Sequence, residues 1–300
     1  MPEKWISATR LCPDANVILE KVLKDSPFGA KVDFYCDMSK KLGTVSLLLP
    51  AVHREVNSII RSCAGFFIDG VRTYRKVISA SFDKPLDQIP AGLEIVRTIR
   101  LSTPEVRKRI CSGWSGSKRE KASSAVGEVE AVLVEGLYLG ANKTGSKPRT
   151  LGQLLDETEL KMRGPYSEYN DRYGNLITDL KALTVPENKM HPSSSTIDQM
   201  LQEDCNIANN GDRIIVSQAV RFMFTQNTWT AIVTNDHEDL LSNKGKIEKH
   251  CLLLICDPLY VFDEMREKFQ SGLAPIEAAA QSSIDYRQLV RVPSVPSRIV

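Results

Sequence analysis

Residues 230–241 read Thr-Ala-Ile-Val-Thr-Asn-Asp-His-Glu-Asp-Leu-Leu. The apolar run at the start of this stretch stops abruptly at Thr234-Asn235-Asp236, and the residues that follow have the composition of a helix. A buried parallel strand has this form when it ends at the carboxyl edge of its sheet, where open α/β folds place their ligand sites. The stretch therefore predicts a buried strand over residues 229–233 that brings Asp236 to that edge.

Three further segments direct an acidic residue towards the same edge. Asp14 follows a predicted strand over residues 6–13 and begins a helix. Glu55 lies in the first turns of the helix that follows a second predicted strand over residues 45–49. Asp212 begins a predicted helix and is in register with its apolar residues. Because the strand ends and helix starts of one parallel sheet meet at one edge, we expect the four carboxylates to lie close together.

The rest of the pattern is strand and helix in alternation at both ends of the chain, with charge-rich helical segments between them. The other predicted elements are helices beginning at Ala15 and over residues 31–41, 51–67, 122–139 and 263–269, a short helix up to Asp204, a helix over 212–224, turns over 164–175, a loop over 184–195 and a last strand over 250–256. This order predicts an open parallel sheet with helices on both faces, interrupted by a mainly helical insertion. The predicted domains are a discontinuous α/β domain over residues 1–69 and 196–270, a helical insertion over 70–195 and a C-terminal tail over 271–300.

The composition is that of an ordinary globular protein and excludes several classes of function. The net charge of +2 neither requires nor excludes an anionic partner. The seven cysteines are scattered, without a Cys-x-x-Cys pair, and only four histidines are present, which disfavours a Cys/His zinc site. The longest apolar run, over residues 251–262, contains Asp257 and is too short to span a bilayer, and the first residues have no apolar signal core. We therefore expect a cytoplasmic protein with reduced thiols that does not bind membranes.

Each acidic residue also has a simpler explanation. Asp14 is at a position where aspartate commonly caps a helix. Glu55 could face solvent beside the apolar stripe of its helix. Asp212 could be a favourable charge at a helix N-terminus. Asp239, one helical turn after Asp236, is a candidate fifth acid. It is the combination of these residues, in this order, that points to a site.

Four short motifs together resemble the PIN-domain nucleases. They are Asp14-Ala15-Asn16-Val17, Pro50-Ala51-Val52-His53-Arg54-Glu55-Val56, Asp212-Arg213-Ile214-Ile215-Val216-Ser217-Gln218-Ala219 and Val233-Thr234-Asn235-Asp236. In that family the acids come in this order on these types of element, with Asn two residues after the first Asp. The resemblance covers roughly residues 6–67 and 205–256, whereas the middle of the chain has no counterpart in the small members of the family.

The resemblance implies a PIN-like fold and an acidic pocket that binds one or two Mg²⁺ or Mn²⁺ ions for phosphodiester hydrolysis. Hard oxygen ligands suit these ions, one of which can activate water while a second stabilises the leaving oxygen. Carried over by position, the metal ligands and catalytic residues would be Asp14, Glu55, Asp212 and Asp236, with Asp239 as a fifth acid and Asn16 and Thr234 orienting them. Without metal, four clustered carboxylates repel each other, so at least one pKa should be raised. Most members of the family are ribonucleases, which implies an endoribonuclease acting on single-stranded or structured RNA.

A basic strip over residues 96–121 is a second candidate for contact with nucleic acid. It contains Arg97, Arg100, Arg107, Lys108, Arg109, Lys118, Arg119 and Lys121, with Trp114 among them. Such a strip could follow a phosphate backbone, with Trp114 as a stacking surface for a base. A solvated helix face explains the same pattern.

Two other functions remain open at this stage. One is a catalytically silent PIN-like module that binds RNA or a protein. The other is a structure-specific DNA nuclease, although such enzymes usually have more acids in their pocket. A homo-oligomeric state is also left open. His53 and His237 flank proposed ligands, but they do not have the spacing of a metal-binding pair.

Overall fold

The structure is a computed structural model that describes residue 6 and residues 9–23, 29–78, 92–114, 116–141, 150–190, 195–226 and 228–270. Most of the described chain is helical, and it contains a small parallel sheet of three strands. The expectation of a parallel sheet combined with helices is therefore confirmed, although helices predominate more than the sequence predicted. The predicted tail over 271–300 lies outside the described residues.

Five short strands and eleven α-helices make up the described chain. In chain order the strands are β1 (Thr9–Pro13), β2 (Leu47–Leu48), β3 (Leu183–Thr184), β4 (Trp229–Val233) and β5 (Leu254–Cys256). The helices are α1 (Ala15–Leu23), α2 (Gly29–Leu42), α3 (Pro50–Val77), α4 (Gly92–Cys111), α5 (Gly116–Ala141), α6 (Leu151–Lys161), α7 (Gly164–Asp179), α8 (Ser195–Glu203), α9 (Asn210–Gln226), α10 (Lys244–Cys251) and α11 (Val261–Gln270). The predicted strand over 229–233 and the helices predicted near α1, α2, α3, α5, α8, α9 and α11 are thus confirmed.

The three-stranded sheet has the order β1-β4-β5, and all of its strands are parallel. Pro13 lies opposite Val233, and Val233 lies opposite Cys256, so the three strands end side by side. The pair β2–β3 is also parallel, and one parallel bridge between Leu11 and Ser46 connects it to β1. Residues 231–233 are fully buried, as expected of a central parallel strand.

The segment after β4 is a series of turns, so the predicted helix there is wrong. The Asp236 carboxylate accepts hydrogen bonds from the backbone N–H groups of Glu238 (2.8 Å) and Asp239 (3.1 Å). The carbonyl of Asp236 accepts from the N–H of Leu241 at 2.8 Å. An aspartate side chain that binds the backbone in this way competes with a regular helix. The helix α10 begins only at Lys244.

Four other predicted elements need correction. The last strand begins at Leu254 and not at residue 250, because α10 continues to Cys251 and ends in a left-handed residue, Leu252, with φ of 58°. The predicted turns over 164–175 belong to α7, whose second residue, Pro165, is a residue type favoured at helix starts. The second strand is shortened to β2, and part of the predicted loop over 184–195 is the end of β3.

The chain divides into two compact units, and the division falls inside α3 and α7. The first unit comprises residues 1–56 and 172–300, and the second comprises residues 57–171. The first unit holds every described strand. The predicted helical insertion, over 70–195, begins and ends later in the chain than this second unit.

The second unit is built from helices that pack on buried apolar stripes. α4 packs along α5, and α5 packs on α6. A Cβ atom on Gly136 would lie only 2.5 Å from Cδ1 of Leu154, so the absence of a side chain there permits the close approach of α5 and α6. The buried hydroxyl of Tyr74 bonds that of Thr103 at 2.6 Å.

Candidate functional site

Asp14 lies where β1 ends and α1 begins. Its backbone N–H donates to the carbonyl of Val233 at 2.9 Å, and its own carbonyl accepts from the N–H of Ile18 at 3.2 Å. Its backbone therefore forms a hydrogen bond to β4 at the end of the sheet and also accepts a hydrogen bond from the first turn of α1. The residue is only 4% exposed. A buried carboxylate of this kind requires hydrogen bonds or a cation.

The side chain of Asp14 is held by three hydrogen bonds. Oδ1 accepts from the N–H of Ala15 at 2.6 Å, and Oδ2 accepts from Asn16 Nδ2 at 2.8 Å and from Thr234 Oγ1 at 2.9 Å. The Thr234 hydroxyl in turn accepts from Asn16 Nδ2 at 3.1 Å and from the N–H of Asp236 at 3.0 Å. Asn16 and Thr234 thus lie against Asp14, and their role in orienting the acids stays a prediction.

Asp236 and Asp239 lie in the turns that follow β4, and the carboxylate of each accepts hydrogen bonding from backbone N–H groups. One oxygen of Asp236 accepts the two turn hydrogen bonds described above. Oδ2 of Asp239 accepts from the N–H of Asn209, just before α9, at 2.9 Å. This bond ties the loop after β4 to the start of the helix that carries Asp212.

Asp212 lies in the first turn of α9 and is half-buried. Burial raises the pKa of its carboxyl to about 7, and repulsion from other carboxylates adds to the rise. The carboxylates that act on it are Asp14, Asp236, Asp239 and Glu55. Within the described residues, its carboxylate accepts no hydrogen bond. The other four candidate acids therefore lie close enough to Asp212 for their negative charges to repel its carboxylate.

The pKa of Asp14 is also raised, to about 6, with burial as the main cause. Hydrogen bonds from Thr234 and Ala15 oppose this rise, whereas the charges of Glu55 and Asp236 add to it. The expectation that at least one clustered carboxylate has a raised pKa is confirmed.

Glu55 has the solvent-facing position that the sequence left open. Its neighbours Val52 and Val56 are fully buried, but Glu55 itself is exposed, because it lies on the flank of the apolar stripe of α3. Its charge still reaches both Asp14 and Asp212. An exposed position next to buried acids leaves this carboxylate accessible from solvent.

Three polar residues that support the site were not assigned a role from the sequence. Gln218 of α9 is 1% exposed, and its Oε1 accepts from the N–H of Ala51 at 3.0 Å, which fixes the start of α3 against α9. Asn235 is 8% exposed, and its Nδ2 donates to Glu20 Oε2 at 2.9 Å. The sequence signal for Gln218 was a polar residue within an apolar helical stripe.

Asp257, the third of these residues, follows β5 at the same edge of the sheet. It is 8% exposed and accepts from Lys31 Nζ at 2.7 Å. Its second oxygen accepts from the N–H of Leu259 at 2.9 Å. Its signal in the sequence was the single charge that interrupts the last apolar run. Asp257 thus has a basic partner in Lys31, whereas in the described residues the clustered aspartates have none.

The chemical type of the donors suits a hard divalent cation, but within the described residues their arrangement does not form a complete metal site. In the described part of the chain, no Lys or Arg forms an ion pair with Asp14, Asp212, Asp236 or Asp239. Carboxylate oxygens without basic partners are the ligands that Mg²⁺ and Mn²⁺ take. Among the described residues, however, no group of three or more His, Cys, Asp or Glu side chains is arranged to hold a metal ion.

The basic strip lies in the second unit. Its residues Arg97, Arg100, Arg107, Lys108 and Arg109 are exposed on α4, Trp114 is in the turn between α4 and α5, and Lys118 and Arg119 are in the first turns of α5. Arg109 pairs with Glu105 one helical turn away at 2.7 Å. The strip and the carboxylate cluster are thus separate features, each within its own unit.

None of the described helices has the length and apolar character needed to cross a membrane.

Comparisons of the chain with protein-family models, with curated proteins and with solved structures found no match.

Proposed function

We propose that this protein is a metal-dependent nuclease with a PIN-like α/β domain, and that it hydrolyses phosphodiester bonds in RNA. The observation that carries the proposal is the position of Asp212, whose carboxylate is repelled by four others while no basic side chain in the described residues pairs with it. Such an arrangement destabilises the protein unless a cation binds, and strongly perturbed carboxylates cluster at functional sites.

The position of two of the acids at the carboxyl edge of the sheet supports this proposal. Asp14 ends β1 and Asp236 follows β4, two parallel strands that are hydrogen-bonded to each other. Ligands of open α/β sheets bind beyond the carboxyl ends of such strands. The order of the acids along the chain is also that of the PIN-domain nucleases.

Asp14, Asp212 and Asp236 would hold Mg²⁺ or Mn²⁺, with Glu55 and Asp239 as further oxygen donors. When bound, such an ion supplies an activated water and neutralises charge on the phosphate. Asn16 and Thr234 keep the Asp14 carboxylate in one orientation. Because the pKa of Asp212 is about 7, this residue retains a proton in part at neutral pH until a cation displaces it.

The decisive experiment is Mn²⁺-dependent cleavage of single-stranded RNA by the wild type and by Asp14→Asn and Asp212→Asn. We expect both substitutions to abolish cleavage without unfolding the protein. Glu238→Gln is the matched control, since Glu238 is exposed, lies between Asp236 and Asp239, and is not among the charges that act on Asp14 or Asp212. Full activity of Asp14→Asn would refute the proposal. A preference for flap DNA over RNA in parallel reactions would instead favour a structure-specific DNA nuclease.

A second candidate function, a catalytically silent RNA- or protein-binding module, is favoured by one observation. Within the described chain, the acids are not arranged at distances that hold a metal ion. Calorimetric titration with Mn²⁺ discriminates the two functions. Binding to the wild type that is absent from a variant lacking Asp14, Glu55, Asp212 and Asp236 supports the nuclease, and equal heats from both proteins support the silent module.

A further inference from the structure

A basic groove lies in the second unit, where α4 ends and α5 begins. It has a volume of about 600 Å³. Its lining residues are Pro104, Arg107, Lys108, Cys111, Ser112, Gly113, Trp114, Arg119 and Ser123. A volume of this size is within the range of about 300–1,000 Å³ that is typical of ligand sites.

The charge of the groove is entirely positive. Arg107, Lys108 and Arg119 line it and are exposed, and none of its described lining residues is an Asp or Glu. Within the described part of the chain, none of these three cations forms an ion pair. Arg109, between them on α4, pairs with Glu105 instead. Glu105 feels the charge of Lys108 as well as that of Arg109, but no described acid lines the groove, and its positive charge attracts a polyanion.

The aromatic side chain in the groove is held in place. The turn after α4 contains Gly113 with φ of +85°, a conformation that favours glycine, and the N–H of Trp114 donates to the carbonyl of Cys111 at 3.2 Å. The indole and Phe66 rings stand nearly perpendicular, at 77°, with centroids 5.5 Å apart, and Lys118 Nζ lies over the indole ring, 5.6 Å from its centroid. Trp114 nevertheless remains 38% exposed. The exposed part of the indole offers a flat surface on which a planar group can stack, in place of the Lys118 ammonium or beside it.

We propose that this groove is a binding site for single-stranded RNA, in which an unpaired base stacks on Trp114 and Arg107, Lys108 and Arg119 bind the adjoining phosphates. Single-strand sites combine these two features, cations that follow the backbone and aromatic rings that stack on bases. An acidic polypeptide would satisfy the cations but has no regular planar group for the indole. The choice of RNA over DNA rests on the proposed function, whereas the binding itself requires neither the carboxylates nor a metal ion.

The test measures binding by the full chain, with Asp14→Asn in every protein and with EDTA present, so that no cleavage occurs. The ligand is a fluorescent single-stranded RNA of about twelve nucleotides. We expect Trp114→Ala to weaken binding about 5- to 100-fold, in line with the loss of one stacked base. Trp114→Phe retains a stacking ring and should bind more tightly than Trp114→Ala, which separates stacking from any loss of packing against Phe66. RNA should also quench tryptophan fluorescence, and Trp114→Phe should remove most of that quenching.

The double substitution Arg107→Gln/Arg119→Gln tests the phosphate contacts. It should weaken binding and should make the slope of log affinity against log salt concentration shallower by about 1.4, because each lost contact to a single strand contributes about 0.7. Arg72→Gln, in the same unit but outside the basic strip and the groove and paired with Glu159 at 3.1 Å, is the matched control and should bind as the parent protein does.

Three results would overturn the assignment. Unchanged affinity and salt dependence in the Trp114 and arginine variants would show that RNA does not bind in the groove. Competition by polyglutamate as effective as that by unlabelled RNA would assign the groove to acidic polypeptides. A matched single-stranded DNA that binds at least as tightly as the RNA would overturn the choice of RNA. If cleavage by the otherwise unmodified protein fails while RNA binding is intact, the proposed nuclease function is refuted and the groove is not.

Discussion

Replacement of Asp212 by Asn should stabilise the metal-free protein while it abolishes the proposed activity. In the wild type, Asp212 is half-buried among four other acids and has no hydrogen-bonded partner for its carboxylate within the described residues. Asn has nearly the same shape without the charge. The substitution therefore removes the repulsion and leaves the packing of α9 unchanged.

The size of the effect follows from the pKa. A rise from 3.8 to about 7 corresponds to an upper limit of about 4 kcal/mol between the folded and unfolded states. Because Asp212 is only half-buried, screening by solvent reduces the expected gain to roughly 1–2 kcal/mol.

The sign depends on pH in a defined way. The folded state keeps a proton on Asp212 that the unfolded state has released, so the stability of the wild type falls as pH rises from about 4 to about 7. Below this range the residue is protonated in both states and the charge has no cost. The advantage of Asp212→Asn should therefore be larger at pH 8 than at pH 5.

Urea unfolding in EDTA at pH 5 and pH 8 measures this difference, with Glu238→Gln as a control for the loss of one exposed negative charge. Saturating Mn²⁺ should reverse the order, since only the wild type gains binding energy, about 2.7 kcal/mol at a concentration 100 times the dissociation constant. If Asp212→Asn is no more stable than the wild type at pH 8 in EDTA, the carboxylates do not repel as the structure indicates.

Three further predictions concern the residues that hold the site together. Thr234→Val removes a hydrogen bond to Asp14 and should lower Mn²⁺ affinity about 10- to 100-fold by calorimetry, whereas Thr234→Ser should retain it; equal affinities would contradict the positioning role. Gln218→Leu leaves the N–H of Ala51 without its acceptor and should lower the free energy of unfolding by about 1–3 kcal/mol in urea, and a neutral result would show that water replaces the bond. Lys31→Met should destabilise the protein by about 3 kcal/mol because Asp257 loses its partner, and the additional change Asp257→Asn should recover much of that loss; no recovery would indicate that the buried charge is not the cause.

The sequence predicted the central part of the sheet because β4 is a buried apolar strand with a polar end. It also predicted the helix that follows Asp14 and the helices that carry Glu55 and Asp212, since their apolar residues recur at helical spacing. It failed where a side chain competes with the backbone. The turn after Asp236 looks like a helix in composition, but its carboxylate binds two backbone N–H groups.

The supporting contacts of the site were harder to predict because they join residues far apart in the chain. The bond from Ala51 to Gln218 and that from Lys31 to Asp257 depend on how helices pack against the sheet and against each other. Periodicity shows that Gln218 faces the core but does not identify its partner. The exposure of Glu55 was also undetermined, because a residue at the edge of an apolar stripe can face either way.

The distribution of hydrogen bonds within the cluster gives the acids different chemical roles. Asp14 is deeply buried, but its carboxylate accepts three hydrogen bonds, and those from Thr234 and Ala15 oppose the rise in its pKa. Asp236 uses one oxygen to fix the turn that follows it. Asp212 has no such support among the described residues, so burial and repulsion from the other acids raise its pKa to about 7. In the proposed nuclease, a divalent cation shared by several carboxylates would neutralise more of this charge than a single proton on Asp212 does.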